Sequence, residues 1–198
     1  MIVAVTDQEE GGHSMTGTSP SVAVIVLAAG AGTRMKSKTP KILHTIGGRS
    51  LVGHALHGTA GIDPEHLIAV VSHERERVSA AIGEIGAGLG VEIGIAEQDA
   101  PRGTGDAARV GLGGLPDDFD GTVVVTAADV PLLDADTLRA LIAHHGSPTH
   151  AAEELFCHRN TVLYRMRQIT GITGRDLLLD ARMPGAREIE QLGFGGST

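Results

Sequence analysis

Arg34, Lys36, Lys38 and Lys41 crowd four cations into eight residues, and the last three are the only lysines in the chain. The protein as a whole carries a formal net charge of -8. A local cationic cluster on an acidic chain suits a polyanionic ligand such as a nucleoside triphosphate. Just upstream lie Gly30 and Gly32. Glycines there let the backbone turn tightly and bring its N–H groups close to an anion. Two further stretches carry chemistry: Gln98 with Arg102-Gly-Thr-Gly-Asp106, and Asp129 ahead of Val130-Pro131. An isolated aspartate at a strand end can ligate a hard cation such as Mg²⁺ or cap a turn. Lys36 and Lys38 read as solvated charge.

These residues need elements to hold them. Val22 to Leu27 is a continuous apolar, β-branched run, as expected for a central parallel strand covered on both faces. A helix follows from Ser50 as N-cap through Gly58, then a strand over Leu67 to Val71 and a helix over His73 to Ile85. A third strand spans Val91 to Ile95, the 102–106 turn opens another helix, and a fourth strand covers Thr122 to Thr126. Alternating strands and helices imply right-handed crossovers and a parallel sheet. The fold class expected is therefore α/β, a partial Rossmann-like parallel sheet followed by a small all-α unit. In such sheets ligands bind beyond the carboxyl ends of the strands, where all three chemical stretches fall.

Composition bounds the rest. The chain has 198 residues, 41% of them hydrophobic, with 28 glycines and no tryptophan. No apolar run reaches the ~18–20 residues of a membrane span, and the opening lacks the basic n-region of a secretory signal. A single cysteine, Cys157, excludes an internal disulfide and makes the cytoplasm the expected location. Residues 1–145 carry 10 Lys and Arg against 18 Asp and Glu, while residues 146–198 carry 6 against 6. That shift coincides with a change from α/β to all-helical patterning. The organisation expected is a flexible leader over 1–21, an α/β unit over 22–145, a helical unit over 146–178 and a loose tail over 179–198.

The glycine loop is neither a dinucleotide fingerprint, since Met35 stands at the third glycine, nor a P-loop, since G-K-[ST] is missing. The run Leu27-Ala28-Ala29-Gly30-Ala-Gly32-Thr33-Arg34-Met35, continued by Pro40-Lys41-Ile42-Leu43-His44, resembles the signature of the sugar-nucleotide pyrophosphorylases. It is most similar to the uridylyltransferase domain of the GlmU-type enzymes, which make UDP-N-acetylglucosamine. The resemblance covers about 22–142, midway into that family's catalytic domain, and implies the strand order 3-2-1-4. It implies a nucleotidyltransferase that passes UMP from UTP to N-acetylglucosamine 1-phosphate and releases pyrophosphate. Leu27, Ala28, Ala29, Gly30, Gly32 and Thr33 would bind the nucleotide, with Arg34 and Lys41 catalytic. Gln98 would meet the uracil edge, Gly103 and Thr104 would pack on the nucleoside, and Asp129 would hold Mg²⁺. Arg102, Asp106 and Ala128 stand where the family has an apolar residue, a histidine and a glycine. A sheet of this extent leaves the fourth strand as an apolar edge.

The segment Ala151 to Ile169, with His158-Arg159-Asn160-Thr161 and Tyr164-Arg165, resembles the C-terminal helix-turn-helix of PucR-type transcription regulators. That resemblance implies a recognition helix in which Arg159, Asn160, Thr161, Arg165 and Arg167 face DNA. A unit of zero net charge would bind DNA weakly. The alternative reading is accordingly a DNA-binding regulator fragment, or an inactive fusion product.

Overall fold

The computed structural model describes residues 3–6, 21–30, 32, 35, 37–100, 102–143, 153 and 155. Its main sheet contains β1 (Val3–Thr6), β2 (Val22–Leu27), β5 (His66–Val71), β6 (Gly94–Glu97) and β7 (Thr122–Ala127). A two-stranded ribbon pairs β3 (Thr45–Ile46) with β4 (Arg49–Ser50). Four helices are described: α1 (Leu51–Ala60), α2 (Arg75–Leu89), α3 (Thr104–Leu112) and α4 (Ala135–Ala143). The sheet order is β1-β7-β2-β5-β6. The β2–β5, β2–β7 and β5–β6 pairs are parallel, and β1 joins β7 antiparallel.

The four strands expected from the pattern thus lie in the order 3-2-1-4. The fifth strand was not expected. Val3–Thr6 pairs along Thr122–Val125, so the segment read as a flexible leader supplies a strand to the outer side of β7. Strand four is therefore not an open edge. Its outer row of N–H and C=O groups has a partner, which removes the usual liability of an apolar edge.

β2 lies at the centre because both of its faces are apolar. Val24 and Val26 pack on one side with Leu56 of α1, Val78 and Ile82 of α2 and Leu138 of α4. Ala23 and Ile25 pack on the other with Val70, Val123, Val125 and Ala107 of α3. Alternate residues of a strand point to opposite faces, so one unbroken apolar run serves two layers. α3 sits tightly on its face. A Cβ at Gly111 would collide with Ile25 Cγ2 and lie 2.9 Å from Val70 Cγ2.

Helix ends follow local chemistry. Ser50 Oγ accepts from Gly53 N–H at 3.1 Å and caps α1 as expected. α2 runs beyond the expected Ile85 to Leu89 and stops at Gly90, whose φ of 69° is the left-handed cap that glycine adopts readily. The third strand starts at Gly94 rather than Val91. Val91 and Ile93 instead pack against the core, where Val91 N–H also closes on Gly86 O. Their apolar character serves the end of α2 and not the ladder.

Candidate nucleotide site

Three loops leave the carboxyl ends of neighbouring strands, and each departs through a hydrogen bond to the next strand. Ala28 N–H donates to Val70 O, Gln98 N–H to Val71 O and Ala128 N–H to Leu27 O, at 2.8, 2.8 and 3.0 Å. The chemical stretches are therefore gathered at one rim of the sheet. Ala28 is itself 3% exposed, so it ties the glycine loop to the core. Ala128 is fully buried among Val24, Val26 and Val130. The methyl group that replaces the family's glycine is thus accommodated by the core.

Lys41 and Asp129 meet at this rim although 88 residues separate them. Lys41 Nζ donates to Asp129 Oδ2 at 2.5 Å, with side-chain exposures of 22% and 13%. Partial burial strengthens such a pair relative to one in open water. Each partner is held by buried neighbours. Lys41 opens a single 3-10 turn, Lys41–Leu43, anchored by Ile42 in the core. Asp129 stands between buried Ala128 and Val130.

Gly32 closes over the same lysine. Its φ is 58°, and a Cβ built there would lie 2.6 Å from Lys41 Cβ. Glycine is required twice at this position, for its backbone conformation and for the close approach. Met35 N–H donates to Gly32 O at 2.9 Å, and Arg77 of α2 reaches Lys38 O at 3.3 Å, pinning the loop at two further points. Thr33 and Arg34 lie outside the described residues, as do the expected DNA-facing residues Arg159, Asn160, Thr161, Arg165 and Arg167.

Gln98 lies on the other side of β5 and is 4% exposed. Its Nε2 donates to Asp106 Oδ2 at 2.7 Å and to Gly103 O at 3.5 Å. Asp106 is held in turn by Arg109 Nη2, 2.8 Å from its Oδ1. The hydrogen bond from Gln98, then that from Arg109, keep the Asp106 carboxyl below the ordinary aspartate value of 3.8. It is therefore ionised at neutral pH. Gly103, at φ 103°, and Thr104 begin α3 beside this network.

Asp106 and Arg109 were not singled out as site residues by the sequence. The available signal was the acid three residues before an arginine in the first turn of a helix, at a position where the resembled family has histidine. Among the described residues no group of three or more His, Cys, Asp or Glu is placed to hold a metal ion. No helix there is long and apolar enough to cross a membrane.

Comparisons with known proteins bear on the family and the fold. The family model for the MobA-like NTP transferase domain matches residues 24–184, a span that runs across the segment read as a helix-turn-helix. A "Bifunctional protein GlmU" of Rhodococcus opacus is 60% identical over 131 residues, covering 66% of this chain and 26% of that protein. One from Mycobacterium sp. (strain KMS) is 57% identical over 134 residues, covering 68% and 27%. The chain thus spans about a quarter of the length of these relatives. Among solved structures, a nucleotidyl transferase from Methanothermobacter thermautotroptrophicus superposes with a TM-score of 0.52 at 20% identity, over 63% of this chain and 57% of that one. A 4-diphosphocytidyl-2C-methyl-D-erythritolsynthase from Anaerococcus prevotii gives 0.51 at 17% identity, over 63% and 51%. These two share the fold.

Proposed function

The chain belongs to the MobA-like NTP transferase domain family, and on that premise we propose that it binds UTP and transfers UMP to N-acetylglucosamine 1-phosphate. The products are UDP-N-acetylglucosamine and pyrophosphate. The observation that carries this reading is the meeting of Lys41 with Asp129 under the Gly32 turn. One cation, one carboxylate and a glycine loop from distant parts of the chain converge where a triphosphate would lie. The 60% identity to a bifunctional GlmU protein supports the choice of sugar nucleotide, as does the loop signature.

In this reading the backbone N–H groups from Gly30 to Thr33 cradle the β- and γ-phosphates. A phosphate oxygen of the sugar phosphate attacks the α-phosphorus, and the bond to the β-phosphate oxygen breaks in line. Lys41 balances charge at the α-phosphorus, and Arg34 the charge on departing pyrophosphate. No covalent intermediate with the protein is needed; the chain positions and neutralises. Gln98 reads the base edge while Gly103 and Thr104 line the nucleoside.

Asp129 would hold Mg²⁺, a hard cation suited to one or two carboxylates with phosphate and water oxygens. Lys41, which pairs with that carboxylate here, would neutralise charge at the α-phosphate. Mg²⁺ supplies charge neutralisation on the triphosphate when bound. The lone Cys157 supports a cytoplasmic location.

The test is pyrophosphate release from UTP and N-acetylglucosamine 1-phosphate in the presence of Mg²⁺. Release above background that falls by on the order of a hundredfold or more in Arg34→Ala is expected, comparable to losing one transition-state donor. Absence of release from the unaltered chain, or full release from the variant, would sink the reading.

A further inference from the structure

Gln98 is an amide, and an amide at a base edge is ambiguous: turned one way it donates, turned the other it accepts. Here the surroundings remove the ambiguity. Asp106 is ionised at neutral pH and can only accept, so the group facing its Oδ2 at 2.7 Å must be the amide nitrogen. The same nitrogen also faces Gly103 O, 3.5 Å away. The nitrogen is thus turned to protein acceptors, and the amide oxygen lies on the opposite arm of the same planar group. Arg109 Nη2, 2.8 Å from the other oxygen of Asp106, favours this position of the carboxylate. Gln98 itself is anchored through its N–H on Val71 O and is 4% exposed.

We infer that Asp106 is a positioning residue for base selection, holding Gln98 as an acceptor-only reader of the base edge. Resting on the nucleotide reading above, this gives the site a chemical preference. A base with a ring N–H on its Watson–Crick edge, such as uracil at N3, can pair with the Gln98 oxygen. With the base held in the same position, cytosine sets its N3 lone pair against that oxygen, and its N4 amine reaches the oxygen only if the base shifts along its edge. Leaving a buried polar pair unmade in this way disfavours the wrong base by about tenfold or more.

The experiment is calorimetric binding of UTP, CTP and tripolyphosphate, each with Mg²⁺, to the full chain and to Asp106→Asn and Asp106→Ala. Thermal melts accompany each protein. For the unaltered chain UTP binds about tenfold or more tighter than CTP. In Asp106→Asn, Arg109 keeps the side-chain oxygen and the amide nitrogen faces Gln98, which turns over. The UTP preference then collapses towards parity or reverses. In Asp106→Ala the preference is lost without reversal, since nothing holds either orientation. Tripolyphosphate has no base and controls for the phosphate loop. A preference that survives in Asp106→Asn overturns the inference while leaving the nucleotide site standing. So does an equal loss for UTP, CTP and tripolyphosphate, which would mark a merely structural role. If the unaltered chain binds no nucleotide, the proposed function falls first and this inference with it.

Discussion

At position 32 the backbone lies at φ 58°, and a methyl group there would press on Lys41 Cβ from 2.6 Å. The cost of a Cβ in that conformation is about 1–2 kcal/mol, small for the fold but placed where the loop meets the cation. Gly32→Ala is expected to move Lys41 relative to Asp129, weakening UTP binding by about tenfold while lowering the melting temperature by only a few degrees. Calorimetry beside a thermal melt checks this. Equal affinity in the variant would show that the Gly32–Lys41 approach is not part of the site. The glycine was legible in the sequence as a turn residue. Its contact with Lys41 was not, because nothing in the order of residues says which side chain will pass beneath it.

Among the elements, β1 most changes the reading of the molecule. Four residues, Val3–Thr6, pair antiparallel with Val125 back to Thr122. Without them Val123, Val124 and Val125 would present an unpaired strand edge of β-branched residues, a template for association with another chain. A chain beginning at Met15 is therefore expected to self-associate with rising concentration, seen as added mass in light scattering after size exclusion. A truncated chain that stays monomeric and equally soluble would show that β1 does not protect that edge. The sequence could not announce β1, since a run of four residues is too short for periodicity to register. Its pairing is also non-local, reaching across more than a hundred residues. The helices behaved differently. Ser50 at the start of α1 is a local signal and was read as such, whereas Val91 and Ile93, expected in the third strand, pack against the core just after α2 ends at Gly90.

For the molecule as a whole, the family match covers residues 24–184, and the sheet supplies a rim at which three loops converge. A ligand held only by the folded rim should stabilise it by mass action: about 2.7 kcal/mol at a hundredfold excess over Kd. UTP with Mg²⁺ is therefore expected to raise the melting temperature by several degrees, and UTP with a chelator by less. No shift at millimolar UTP would argue against a formed nucleotide site. The helix-turn-helix expected over 146–178 falls almost wholly outside the described residues and within the span of the family match.

What the sequence determined by itself was the local chemistry. The apolar run over β2 demanded a strand covered on both faces, the glycines at 30 and 32 demanded a tight turn, and their order with Arg34 and Lys41 carried the resemblance to nucleotidyltransferases. The strand order 3-2-1-4 also followed from that resemblance. Only the tertiary structure decided which distant groups touch. It set Lys41 on Asp129, placed β1 on β7, sent the Ala128 methyl group into the core, and turned Asp106 from a departure in a motif into the partner that fixes Gln98. Hydrogen bonds and packing contacts act over only about 3–4 Å, and such distances between residues that are not chain neighbours exist only once the sheet has brought the chain together.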